Sequence, residues 1–188
     1  MTDLIPSREK RDAIVQEARE LLREQVPNMA VSPGACLYNA WAIIVAAAKH
    51  DIPLRLYGGT TIWECMTPEN DDGVSAQQFG YVWEEGPHNL NLNGILLARV
   101  SGPNVQELSA GRMPEMHIWA GAENSDIIVD LSTKDWPAQT RLIIGRPWLA
   151  PQPPDYFWDR RAKLPRGTVF QAHPVATRVA LMLLENST

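Results

Sequence analysis

Cysteine is scarce: Cys36 and Cys65 are the only two in 188 residues. That excludes a small secreted scaffold stapled by disulfides, although one bridge between the pair stays open at this point. Basic blocks are missing too. The formal net charge is −5, and the nearest approach to a cationic cluster, Arg8-Glu9-Lys10-Arg11, mixes both signs. Binding through phosphate neutralisation needs Lys and Arg gathered together, so no nucleic-acid partner is expected. No window has the apolar length of a bilayer span; the segment from Cys36 carries about a dozen apolar residues before Lys49, so no membrane partner is expected either. Met1-Thr2-Asp3-Leu4-Ile5-Pro6 lacks the basic-then-apolar order of a signal peptide, and the expectation is a cytoplasmic protein with reduced thiols. A Gly-x-Gly-x-x-Gly or phosphate-binding loop is absent, as are Cys-x-x-Cys and His-x-x-x-His spacings. The expected set of cofactors and metals is therefore empty.

What is present reads as one globular domain over residues 1–188. Residues 1–31 form a helix and linker. The Ser7–Val26 segment repeats Ala13, Ile14, Ala18, Leu21 and Leu22 at helical spacing, with Ser7 as cap. Residues 32–145 make a core, interrupted at 58–93 by a polar, loop-rich insertion that begins where Gly58-Gly59 stops a strand. Gly94–Val100 suits a central strand, and Arg141–Ile144 reads as another. Residues 146–188 supply a wrapping arm rich in proline and aromatics, a strand at Gly167–Gln171, and a closing helix opened by Pro174.

The organising stretch is the helix that follows Ser32-Pro33-Gly34. Its Ala, Ile and Val residues lie on every side, which marks a buried helix, and Pro53 prevents continuation. Cys36 falls in its first turn. Free N–H groups and the positive end of the helix dipole favour a thiolate at such a place, and the thiolate is the nucleophilic form. Free cysteine is also a common buried hydrophobe, so Cys36 alone decides nothing.

A second constellation lies about eighty residues on. Met116–Gly121 and Asp126–Leu131 read as strands joined by the short polar loop Ala122-Glu123-Asn124-Ser125. A loop centred between Glu123 and Asn124 would set His117 opposite Asp130 on one sheet face, with Cβ atoms about 4.5–5.5 Å apart. At that separation a carboxylate accepts from an imidazole N–H and holds its tautomer. A one-residue change of loop length would send the two side chains to opposite faces.

A cysteine opening a buried helix, then His, then Asp on neighbouring strands, is the layout of an activated thiol. Gly34-Ala35-Cys36 with its Ala-rich helix, Ile52-Pro53-Leu54-Arg55-Leu56, His117-Ile118-Trp119 and Val129-Asp130-Leu131-Ser132-Thr133 together resemble the transglutaminase-like branch of the papain-like cysteine peptidase superfamily. The likeness covers roughly residues 32–133. Where such proteins commonly carry Gly at the helix end, this chain has His50-Asp51. The resemblance implies an α+β fold with the buried Cys helix packed on an antiparallel sheet.

In that reading Cys36 is the nucleophile, His117 the general base and Asp130 the residue that orients it, with Trp119 as a wall of the substrate cleft. The substrate would be a protein, a peptide or a small amide, attacked to give a thioester. The enzyme would be a peptidase, amidase or deamidase, or a transferase passing the acyl group to an amine. Two other classes fit the same residues: a catalytically inactive binding domain of that fold, or an unrelated α+β protein in which Cys36 and His117 are core.

Overall fold

A computed structural model describes residues 4–26, 34–69, 73–92, 95–110 and 113–186. Several sequence expectations fall outside the described residues: Pro27-Asn28-Met29 as a helix end, Ser32-Pro33 as a helix start, and 70–72 in a polar turn. The architecture is α+β. A curled antiparallel sheet carries helices on one face and an aromatic cluster on the other. Among the described residues no helix is long and apolar enough to cross a membrane.

Helix α1 spans Arg8–Gln25 and is capped by Ser7, whose hydroxyl accepts from the Lys10 N–H at 3.3 Å. Helix α2 spans Ala35–Ala48. The chain enters it through Gly34 at φ 99°, a left-handed conformation that costs a side-chain-bearing residue about 1–2 kcal/mol. It leaves through Asp51 at φ 59°, while the Ile52 N–H reaches back to the Ala47 carbonyl at 3.1 Å. Asp is among the few residues that tolerate this region, so Asp51 does the work Gly commonly does at a helix end.

Strand β1 runs over Arg55–Pro68 and does not stop at Gly58-Gly59. The glycines mark close approach, not an end. A Cβ on Gly58 would stand 2.7 Å from the Ala176 carbonyl oxygen, and one on Gly59 would overlap the Gln171 carbonyl. Strand β2, Val74–Tyr81, pairs back on β1 through Thr61↔Tyr81 to Pro68↔Val74, so much of the expected loop-rich insertion is a hairpin. Strands β3 (His88–Leu92) and β4 (Ile95–Val100) form a separate two-stranded sheet, and the run expected to be central is not in the main sheet. Helix α3 follows over Gly102–Ser109.

Strands β5 (His117–Gly121) and β6 (Ile127–Asp130) continue the main sheet, with β7 (Phe157–Arg160) beyond β6 and β8 (Val169–Ala172) against β1. Gly59 pairs with His117 and Ala172, and Thr61 pairs with Tyr81 and Phe170. A strand residue has only two edges. So β5 and β2 follow one another along one edge of β1, and β8 lies along the other. Arg141–Ile144 is not a strand but the end of helix α4, Trp136–Ile144, which starts with Pro137 in its first turn and stops at Gly145, φ 71°. Helix α5 spans Pro174–Glu185.

Alternation along β5 divides the core. Ile118 and Ala120 face the helices. There Ala42, Ile43, Ala46 and Ala47 of α2 meet Ile14, Val15 and Ala18 of α1, while Leu37 and Ala40 meet Ala176, Val179 and Ala180 of α5. His117 and Trp119 point the other way, towards Trp63, Phe79, Trp136, Phe157 and Phe170. The 146–166 arm is tied down by the Met66 N–H on the Ala150 carbonyl at 2.7 Å and by the Trp158 indole N–H on the Leu4 carbonyl at 3.1 Å.

Candidate active site

His117 and Asp130 come together as a pair but not in the expected register. Ala120 pairs with Val129 and Gly121 with Ile128, which centres the loop one residue later, between Asn124 and Ser125. Continued, that register sets Asp130 opposite Trp119, on a diagonal from His117. Because the shift in pairing is two residues, both side chains keep the same face. The loop is held by the Ser125 hydroxyl, which donates to the Ala122 carbonyl at 2.9 Å and accepts from the Ile127 N–H at 3.2 Å.

The His117 Nε2 lies 2.9 Å from Asp130 Oδ2, with His117 3% and Asp130 2% exposed. The other carboxylate oxygen, Oδ1, accepts the Ser132 N–H at 2.7 Å. Ser132 in turn receives the Asn39 side-chain N–H on its hydroxyl at 3.1 Å. Asn39 stands three residues after Cys36 on α2, one turn along the same helix face. A chain of hydrogen bonds therefore runs from the cysteine helix to the acid and on to the imidazole.

With Nε2 taken by Asp130, Nδ1 is the ring nitrogen left for Cys36, which lies near enough to help raise the ring. Cys36 is partly exposed and also lies 3.9 Å, Sγ to Sδ, from Met113. Burial disfavours a proton on the His117 ring. The charge of Asp130, the hydrogen bond to it and the nearby Cys36 sulfur outweigh it, lifting the ring to about 10. The ring is also wedged between aromatic faces. Tyr81 and Trp119 stack on it, each with centroids 6.2 Å away, and Phe170 meets it edge-on at 5.9 Å. These neighbours leave the imidazole little freedom to turn.

A cleft of about 400 Å³ opens beside the pair, lined by Cys36 and His117 together with Trp63, Tyr81, Asn104, Met113, Ser132 and Trp136, among others. Trp119 does not line it. It is 3% exposed and packs between His117 and Tyr57, so it supports the imidazole, and the aromatic wall is Trp63 with Trp136. Cys65 stands apart. It is 1% exposed in the aromatic cluster, its thiol pushed up to about 11 by burial, and both cysteines are free. Among the described residues no group of three or more His, Cys, Asp and Glu side chains is arranged to hold a metal ion.

Neither His50 nor His173 lines the cleft. His50 Nε2 pairs with Glu17 at 2.8 Å, joining α2 to α1, and the backbone N–H of His173 bonds the Gly58 carbonyl at 2.9 Å. Sequence reasoning missed Asn39, Ser132 and Tyr81. A lone amide inside an otherwise apolar helix was the available signal for Asn39, since an amide partly withdrawn from water needs a partner. Comparison with protein-family models, with curated proteins and with solved structures gives no match.

Proposed function

We propose that the protein is a thiol-dependent enzyme acting on amide or isopeptide bonds, as a peptidase, amidase or deamidase, on a transglutaminase-like variant of the papain-like fold. The observation that carries this is the buried His117, held by Asp130 through Nε2 and lining one cleft with Cys36, which stands at the start of a helix. Two unpaired thiols suit a reducing compartment, and the cytoplasm is its place.

His117, kept protonated at neutral pH by Asp130, faces Cys36 through Nδ1–H, and the reacting form is the Cys36 thiolate beside that imidazolium. The thiolate attacks the amide carbonyl carbon. The oxyanion so formed lies at the first turn of α2, whose N–H groups have no acceptor within the helix. Collapse breaks the C–N bond as His117 protonates the leaving amine, and a thioester remains on Cys36. Water, losing a proton to His117, then attacks the thioester; the acid departs and the thiol is restored.

Iodoacetamide labelling at neutral pH tests the assignment, followed by a panel of peptide and small-amide substrates. Fast modification confined to Cys36, lost in His117→Ala, is expected, with turnover abolished in Cys36→Ala. Labelling of Cys36 no faster than Cys65 would return both residues to a packing role.

A further inference from the structure

The outer strands of the main sheet are β7, β8 and β2, and arginine closes the edges of the first two. The Trp158 carbonyl of β7 accepts from Arg11 at 2.6 Å, and the Phe170 carbonyl of β8 accepts from Arg161. The Arg160 N–H of β7 goes to the Asp159 carboxylate at 2.7 Å. Strand β2 differs. It pairs with β1 on one side, and among the described residues no hydrogen bond reaches the backbone on its other side. The strand, Val74-Ser75-Ala76-Gln77-Gln78-Phe79-Gly80-Tyr81, has no charged residue and no proline, the devices that keep an edge from pairing.

The register fixes which groups stand on that edge. Met66 directs its N–H and carbonyl to the far side of β1, onto the Ala150 carbonyl at 2.7 Å and the Leu149 N–H at 2.9 Å. Its partner across the ladder is Ala76. In an antiparallel ladder both residues of such a pair turn their polar groups outward, and the pattern alternates along the strand. Val74, Ala76, Gln78 and Gly80 therefore hold N–H and carbonyl groups to the free edge, while Ser75, Gln77, Phe79 and Tyr81 face β1. The side chains of Val74, Ala76 and Gln78 are exposed. The row also leads to the candidate active site. Next after Gly80 is Tyr81, which lines the cleft with Cys36 and stacks on His117 with centroids 6.2 Å apart.

Resting on the thiol-enzyme reading, we propose that the substrate is an extended polypeptide whose main chain pairs with the free edge of β2 and is thereby led to Cys36. Main-chain pairing of this kind gives affinity that is largely independent of sequence. A small amide without flanking peptide units gains none of these bonds, so it is the poorer substrate.

The test uses the peptide Ser-Ala-Ser-Ala carrying an iodoacetyl group at its N-terminus, or at its C-terminus through an ethylenediamine link, so that both chain directions are sampled. Each rate constant for Cys36 in the full-length protein is divided by that of the same reagent with 2-mercaptoethanol, and compared with iodoacetamide treated alike. One of the two peptide reagents is expected to be about tenfold faster or more, as two net main-chain hydrogen bonds would give. N-methylation of one alternating pair of its amides should abolish the gain, and methylation of the other pair should leave most of it, because alternate amides of an added strand face away from β2. Ala76→Pro and Gln78→Pro each remove a donor from the row without breaking a bond to β1, and should cut the gain about threefold or more. No gain with either reagent on the wild-type protein overturns the proposal without recourse to any variant, as does a gain that survives methylation of both pairs. A gain that falls as protein concentration rises puts a second copy of the chain on the edge and overturns it too. The enzyme reading fails differently: a Cys36 no more reactive than a free thiol towards iodoacetamide sinks it, while the comparison between reagents still reports whether the edge takes up a peptide.

Discussion

Exchanging Asp130 for Asn removes the charge facing His117 and keeps a side chain of the same shape. The buried ring then has desolvation acting against its proton with no carboxylate to oppose it. The cleanest measurement is made with Cys36→Ala as parent, so that no thiol titration is coupled to the ring. With Asp130 in place, the folded-state pKa lies above the unfolded value of about 6.5. The folded protein then keeps a proton that the unfolded chain has lost. That contribution to stability is complete below about pH 6.5 and drains as pH rises towards the folded value, at up to about 1.4 kcal/mol per pH unit. In the Asp130→Asn variant the shift reverses. The folded ring titrates below about 6.5, and stability is lost on acidification through that lower window instead.

Urea unfolding of Cys36→Ala and of Cys36→Ala/Asp130→Asn, followed by tryptophan fluorescence from about pH 5 to 9.5, reads the slopes. Apart from position 130, whose carboxyl in the unfolded chain is already ionised above about pH 5, the titrating groups are common to both proteins and cancel in the difference. The difference curve should fall as pH rises from neutrality, at no more than about 1.4 kcal/mol per pH unit. Parallel stability curves for the two proteins would refute a charge pair at this site. In the otherwise native protein, Asp130→Asn should slow alkylation of Cys36 at about pH 7 on the order of a hundredfold, because the ring no longer holds the sulfur's proton.

Gly59→Ala pushes a methyl into the Gln171 carbonyl and to 3.0 Å from the His173 nitrogen, both backbone atoms, and should cost about 1–3 kcal/mol in a denaturant melt. A variant as stable as the parent would mean that β8 does not crowd β1. Asn39→Ala leaves the Ser132 hydroxyl without its donor, for about 0.5–1.5 kcal/mol of stability and severalfold slower Cys36 alkylation. Asn39→Asp, which cannot donate, should slow alkylation alike, and full reactivity in either variant removes Asn39 from the positioning chain. Intact-mass analysis after excess iodoacetamide at about pH 8 should find one adduct, on Cys36, since Cys65 is buried and its thiol pushed up to about 11. Two adducts at comparable rates would contradict that packing.

The parts of this molecule that were legible in the sequence are those whose signals are local. Ser7 before an amphipathic repeat, an apolar run after Gly34, and Pro174 ahead of a leucine-rich stretch each specify a helix without reference to the rest of the chain. The His117–Asp130 hairpin was legible as to face but not register. A shift of two residues preserves side-chain parity, so the pair survives an error in loop placement that a shift of one would not. Gly58-Gly59 was misread because strand-stopping glycines and close-approach glycines look alike until the elements crowding them, β8 and α5, are known. In α4 the reverse held. Pro137 and Gly145 are ordinary helix bounds, yet the apolar run Leu142-Ile143-Ile144 suggested a strand. The cleft itself has no local signature. Its walls come from β1, β2, α3, α4 and the segment before His117, so its carboxylates meet its indoles only after folding. Three separated residues can suggest a chemistry, but selectivity for one ligand over another belongs to surfaces that no short stretch encodes.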